Sequence, residues 1–239
     1  MKKIILCLMV ASMLIPQKVE AQKNAGAVGA VAGLVAIGVG IAAVQQMKES
    51  AELTATEWIL DKHPELTSFS LKTLDFNGKK LKDMSSASVL TFNLQEFTPV
   101  SRPELNGKKQ VLFCFTSAGW ITDYGIDFDK VRWYLIDENE WLNMMTAYVK
   151  VASGVTDDAM IKEQLKKGKV VNKGLRVKGK VSIPFYKLEG DMYVVTDYSE
   201  NMKFLYNERS FGIFLKDTRD LVQIKRSSLI DIHEFFFKD

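Results

Sequence analysis

Apolar and polar positions divide this chain into three unlike stretches. Ile4 to Ile15 is an apolar run behind Lys2 and Lys3, and Ala25 to Val44 (AGAVGAVAGLVAIGVGIAAV) carries no charge, aromatic ring or proline. From there onward apolar residues recur with the periods of a folded domain. Charges return after Val44, and Glu49 to Lys62 holds good helix formers with Leu53, Thr56, Ile59 and Leu60 near one side. Pro64 disfavours helix in the residue before it, so one helix is predicted from the Gly/Ala stretch to about Asp61.

The next segments read as strands. Thr67 to Phe76 is predicted extended, and Asn77-Gly78 is a strong hairpin signal because both residues tolerate positive φ. The letters Asn-Gly-Lys-Lys return at Asn106 to Lys109, which predicts a similar turn. Leu90, Phe92 and Leu94 alternate as one strand face, while Val111 to Thr116 (VLFCFT) is apolar on both faces and is predicted to be a central strand. Trp120 to Phe128 and Val131 to Ile136 are expected to continue that sheet.

Asp137 with Glu140 three places later has the spacing of a capping box, and Trp141, Met145, Tyr148 and Ala152 form a helical stripe suited to lie on the sheet. A second helix is predicted over Thr156 to Lys167, with Asp157 and Asp158 at its start, Lys166 and Lys167 in its last turn and Gly168 as a left-handed stop. From Leu175 the pattern turns to alternation. Leu175, Val177, Val181 and Ile183 are expected on one face, with Arg176, Lys178, Lys180 and Ser182 on the other. Further strands are expected at Met192 to Thr196, Phe211 to Leu215, Leu221 to Lys225 and Leu229 to Phe237, with Glu189-Gly190-Asp191 as a turn. Short connections favour an antiparallel meander. The predicted fold is α+β: an N-terminal Gly/Ala-rich helix, then a mixed or antiparallel sheet domain with two or three packing helices.

The first stretch changes the picture of where the chain works. Lys2 and Lys3, the apolar run, and Val19-Glu20-Ala21 before Gln22 have the order of a secretory signal, so residues 1–21 are expected to be removed. Cys7 leaves with them. Residues 22–48 then form the Gly/Ala segment and 49–239 the domain, with a subdivision near 153–174 as an option.

Residues 25–44 as a helix span about 30 Å, the thickness of the hydrocarbon layer of a bilayer. Seven alanines and five glycines make the segment suited to close helix packing. Gly29 and Gly33 form a GxxxG pair, and Ala32, Ala36 and Gly40 continue a row of small side chains. Over this stretch alone the chain resembles the glycine-zipper segments of bacterial envelope proteins. Burial of the helix inside the domain and a mobile Gly-rich tail are the competing readings.

Charge and composition remove several classes of function. Loss of residues 1–21 removes Lys2, Lys3, Lys18 and Glu20, which lowers the formal net charge from +3 to +1. Nucleic-acid binding then lacks the concentrated basic excess it needs. Only Cys114 remains of the cysteines, so no disulfide within the chain is available. No GxSxG, HExxH, Walker or GxGxxG pattern occurs, and no cofactor is implied.

Cys114 with His63 or His233 is one enzyme-like combination, and Asp231 two places before His233 is another. The setting of Cys114 between Phe113 and Phe115 favours an inert buried thiol. Asp127, Asp129 and Glu138 fall at positions 1, 3 and 12 of a calcium loop, but Val131 and Arg132 spoil positions 5 and 6, and adding Asp123 gives only an irregular set. One charge run remains, from Lys162 to Lys187, in which Arg176, Lys178 and Lys180 are the candidates to meet lipid phosphate or an acidic envelope polymer. Lysines that guard a strand against edge pairing would give the same run. The sequence therefore points to an exported, non-enzymatic envelope protein held at a membrane or in an oligomer by residues 25–44. A freely soluble periplasmic or secreted binding domain is the alternative, and an enzyme using Asp231, His233 and Cys114 is the third.

Overall fold

The computed structural model describes residues 41–74, 89–100, 105–117, 120–122, 125–126, 128–189 and 192–238. Helix α1 (Ile41–Lys62) leads into a four-stranded antiparallel sheet of β1 (Phe69–Thr73), β2 (Val89–Glu96), β3 (Lys109–Thr116) and β6 (Val131–Asp137), in the order β1-β2-β3-β6. The short strands β4 (Ile121–Thr122) and β5 (Gly125–Ile126) pair with each other between β3 and β6. They form their own ribbon, so Trp120 to Phe128 does not continue the first sheet as expected, whereas Val131 to Ile136 does, as β6.

Helices α2 (Glu138–Ser153) and α3 (Asp158–Lys167) follow, then a three-stranded sheet of β7 (Gly168–Val171), β8 (Gly174–Val177) and β9 (Lys180–Pro184). A second four-stranded meander, β10 (Val194–Asp197), β11 (Met202–Tyr206), β12 (Ser210–Leu215) and β13 (Leu221–Lys225), ends in helix α4 (Arg226–Phe237). The fold is α+β with antiparallel sheets. Strand β11 is absent from the sequence reading, and the Asn77-Gly78 turn lies outside the described residues.

The first sheet is buried on both faces, as β3 foretells. Leu112 and Cys114 of β3 face one cluster with Ala51, Ala55 and Ile59 of α1, while Val111, Phe113 and Phe115 face a larger one built from α2, α4 and the second meander. Helix α1 seats on the sheet through its alanines. Of the side inferred from the pattern, Ile59 is fully buried with the alanines, whereas Leu53 and Leu60 are 51% and 56% exposed and point outward. The bulk is supplied from the sheet by Phe92, Leu94 and Leu112, and small residues on the helix let it approach that surface. Glu52 fastens the contact by accepting from the Thr73 backbone N–H at 2.9 Å and from Thr73 Oγ1 at 2.8 Å. Trp58 stacks on Trp133 of β6 at 5.7 Å.

Helix α2 is the centre of the larger cluster. Asp137 Oδ1 accepts from the Glu140 N–H at 2.9 Å, which satisfies one of the free donors of the first turn. The Glu140 carboxylate accepts from Tyr198 Oη at 2.6 Å. Trp141, Met145, Tyr148 and Ala152 are fully buried, as their spacing predicts. Gly154 at φ 72° closes α2 in the left-handed conformation.

Helix α3 is capped by Asp157, but Gly168 is extended at φ −135° and begins β7. The left-handed stop therefore belongs to α2 and not to α3. Leu229 to Phe237 is helix α4 and not a strand. Leu229, Ile232 and Phe236 are buried at a helical period, which outweighs the strand propensity of the phenylalanines.

Candidate functional site

Most of the basic run between Lys162 and Lys187 converges on one groove. Helix α3 ends with Lys166 and Lys167, β7 brings Lys169, β8 brings Arg176, and the following turn brings Lys178. With Gly168, Gly179, Glu234, Phe237 and Lys238 they line a recess of about 440 Å³, with His233 at its wall.

The hairpin geometry decides which cations reach it. A register shift between Leu175 and Arg176 places Arg176 opposite Val181 and Val177 opposite Lys180. Neighbours along a strand point to opposite faces, so Arg176 and Lys180 lie on different sides of the hairpin. Lys178 and Gly179 form its turn, both with positive φ, 46° and 81°. The single basic face of Arg176, Lys178 and Lys180 is thus broken by the turn and the bulge, and Lys180 is not part of the groove lining.

Across the other ladder Lys169 pairs directly with Arg176. Like charges in that position repel. Glu234 is the acid in the groove and is shared, 3.8 Å from Lys169 and 3.3 Å from Lys238. Lys167 is paired with Glu163. Lys166, Arg176 and Lys178 make no ion pair among the described residues. The groove is therefore strongly positive, with three cations uncompensated.

His233 is a structural member of the wall. It is 1% exposed, its Nδ1 lies 3.2 Å from Trp141 Nε1, and its Nε2 lies 2.8 Å from the Leu165 carbonyl. Indole is only a donor and a carbonyl only an acceptor, so the neutral tautomer with the proton on Nε2 satisfies both. Burial holds the pKa below the usual histidine value, against a smaller opposing pull from the Leu165 carbonyl. With both nitrogens engaged, this ring is poorly placed to act as a base. Asp231 is on the same helix two residues away, about 200° around the axis, so the strand-based pairing of Asp231 with His233 does not occur.

Cys114 faces the α1 side of the first sheet, away from the cluster that surrounds His233, and burial drives its thiol pKa upward. His63 directly follows α1, with Nδ1 3.0 Å from Glu65 Oε1. Cys114 and His233 thus lie on opposite sides of the first sheet, and His63, on the α1 side with Cys114, packs on Trp58 and pairs with Glu65, while the Cys114 thiol is buried and inert. Asp129 and Glu138 lie at opposite ends of β6, roughly 20 Å apart along a seven-residue strand, so they do not share a loop. Asp123 and Asp127 lie outside the described residues, and no cluster of three or more His, Cys, Asp or Glu able to hold a metal occurs among those that are described.

Gly29, Ala32, Gly33, Ala36 and Gly40 also lie outside the described residues. No helix among the described residues is long and apolar enough to cross a membrane. The sequence reading missed His233, Glu234 and Lys238 as part of the groove. The helical period of residues 229–236 is the signal for α4 itself, and the packing of α4 beside α3 has no signature in the sequence. Comparison with protein-family models, with curated proteins and with solved structures finds no match, so the groove is read from its own chemistry.

Proposed function

We propose that this is an exported protein of the cell envelope that acts by binding. Residues 25–44, through Gly29, Ala32, Gly33, Ala36 and Gly40, hold it at a membrane or against copies of itself, and the α+β domain presents the basic groove to an anionic partner. The continuity of α1 supports this reading. Among the described residues the helix covers Ile41–Lys62, so it takes in the last residues of the Gly/Ala stretch, and it is seated under the first sheet by Ala51, Ala55 and Ile59. Whatever grips the Gly/Ala stretch thereby grips the domain. Binding is preferred to catalysis because His233 and Cys114 are each committed to packing in different clusters.

Fractionation of cells producing the full-length protein tests the anchoring. The expected result is a membrane fraction that resists carbonate and yields to detergent, or a detergent-free oligomer, with either property lost in the Gly29→Ile, Gly33→Ile double variant. Complete release by carbonate as a monomer would overturn it in favour of a freely soluble binding domain. Mass analysis of the exported form is expected to show a start at Gln22.

A further inference from the structure

We propose that the groove binds a phosphomonoester free in solution, held by Lys166, Arg176 and Lys178. This rests on the reading of the groove as the contact surface and adds the chemistry of its ligand.

The ladder keeps Lys169 and Arg176 face to face, an arrangement that costs stability unless an anion lies between or beside them. Glu234 supplies one negative charge to Lys169 and Lys238 together, which leaves Lys166, Arg176 and Lys178 for something outside the chain. The backbone also bears a cost there. Lys178 holds φ 46° at the first position of a two-residue turn, where Asn, Asp or Gly is the usual residue. A lysine in that conformation is unfavourable for the hairpin and favourable for the groove, because it adds an ammonium to the lining.

Three uncompensated cations around one recess match a group that is small, doubly charged and rich in acceptors. A phosphomonoester carries about −1.5 to −2 near neutral pH and three acceptor oxygens, and the guanidinium fork of Arg176 grips it through two parallel bonds. A phosphomonoester answers about two of the three charges and offers an acceptor oxygen to each cation, whereas a carboxylate answers one and has only two oxygens. The size of the recess selects the source. About 440 Å³ lies in the range of small-molecule pockets, and a recess walled by Phe237 and by lysine stems accepts a free solute more readily than a flat bilayer.

Calorimetric titration of the full-length protein at pH 7.5 with phenyl phosphate, phenyl sulfate and benzoate tests the proposal, since the three share a ring and differ in the anion. Phenyl phosphate is expected to bind about tenfold or more tighter than either of the others, and Arg176→Gln and Lys178→Gly each to weaken it about tenfold. Lys178→Gly is also expected to raise the thermal midpoint, a gain in stability with a loss of affinity that damage to the fold cannot produce. Lys180→Gln removes the same charge from the other side of the hairpin and is expected to leave affinity within about twofold.

Equal affinity for the three anions would sink the phosphate assignment while leaving the groove as a contact surface. Lys180→Gln weakening binding as much as Arg176→Gln would sink the groove itself. No binding of phenyl phosphate overturns the proposal, including the case in which only vesicles of phosphatidic acid bind.

Discussion

Trp141 and His233 are joined by a hydrogen bond of 3.2 Å, the indole N–H donating to imidazole Nδ1, and this bond ties α2 to α4 across the larger core cluster. The other imidazole nitrogen donates to the last turn of α3. One ring thus holds three helices in register, and it does so only while neutral.

That requirement makes stability depend on pH. The folded-state pKa of His233 is depressed by burial, so the unfolded chain takes up a proton at this residue at a higher pH than the folded one. The stability due to the neutral ring is fully present above the unfolded value of about 6.5 and is lost as pH falls below it. Urea denaturation between pH 8 and 5 is expected to show falling stability at the acid end. His233→Gln is expected to flatten that part of the profile at a cost of about 1–2 kcal/mol at pH 8.

Arg226 is a second buried fastening. It is 5% exposed and donates to the carbonyls of Val171, Asn172 and Asn207 and to Tyr148 Oη, with its guanidinium over the Phe185 ring. Arg226→Met leaves those acceptors unmatched in the interior, with an expected loss of about 3 kcal/mol in denaturant unfolding. Arg226→Lys is expected to recover less than half of that, because an ammonium lacks the planar fork.

Cys114 is expected to be silent toward thiol reagents. Burial raises its pKa and suppresses the thiolate, and its neighbours Leu112 and Trp120 close the surroundings. Labelling by an aromatic disulfide reagent should proceed at the unfolding rate of the protein and accelerate only in denaturant. Rapid labelling of the native state would show that the α1 cluster opens.

The seating of α1 predicts an asymmetry between its two sides. Ala55→Leu forces bulk between helix and sheet and is expected to cost about 1–3 kcal/mol and to shift the fluorescence of the Trp58–Trp133 stack. Leu53→Gln and Leu60→Gln, on the exposed side, are expected to change stability by no more than about 0.5 kcal/mol.

The elements legible in the sequence are those for which one physical signal dominates. VLFCFT is apolar on both faces and becomes the interior strand β3, and the Asp137 cap with the Trp141 to Ala152 stripe becomes α2. Errors fall where two signals compete. Phenylalanines and isoleucines argue for strand at residues 229–237, yet the spacing of Leu229, Ile232, His233 and Phe236 is helical and prevails through burial. On α1 the pattern groups Leu53, Thr56, Ile59 and Leu60, but only Ile59 of these is buried, because the already bulky surface of the sheet is met mainly by Ala51 and Ala55.

The groove was half legible. A run of lysines is visible in any sequence, but the bulge at Leu175/Arg176 and the turn at Lys178-Gly179 sort them onto two sides, and those are backbone events with no single-residue signature. His233, Glu234 and Lys238 enter the lining from α4, distant along the chain, and only tertiary packing brings them there.

Because α1 covers one face of the first sheet, this helix is a structural beam and not an appendage. Tension applied at Ile41 travels along the hydrogen-bonded rod to Glu52, Ala55 and Trp58, and so pulls directly on β1 and β6. A pull along α1 is therefore felt directly beneath the first sheet.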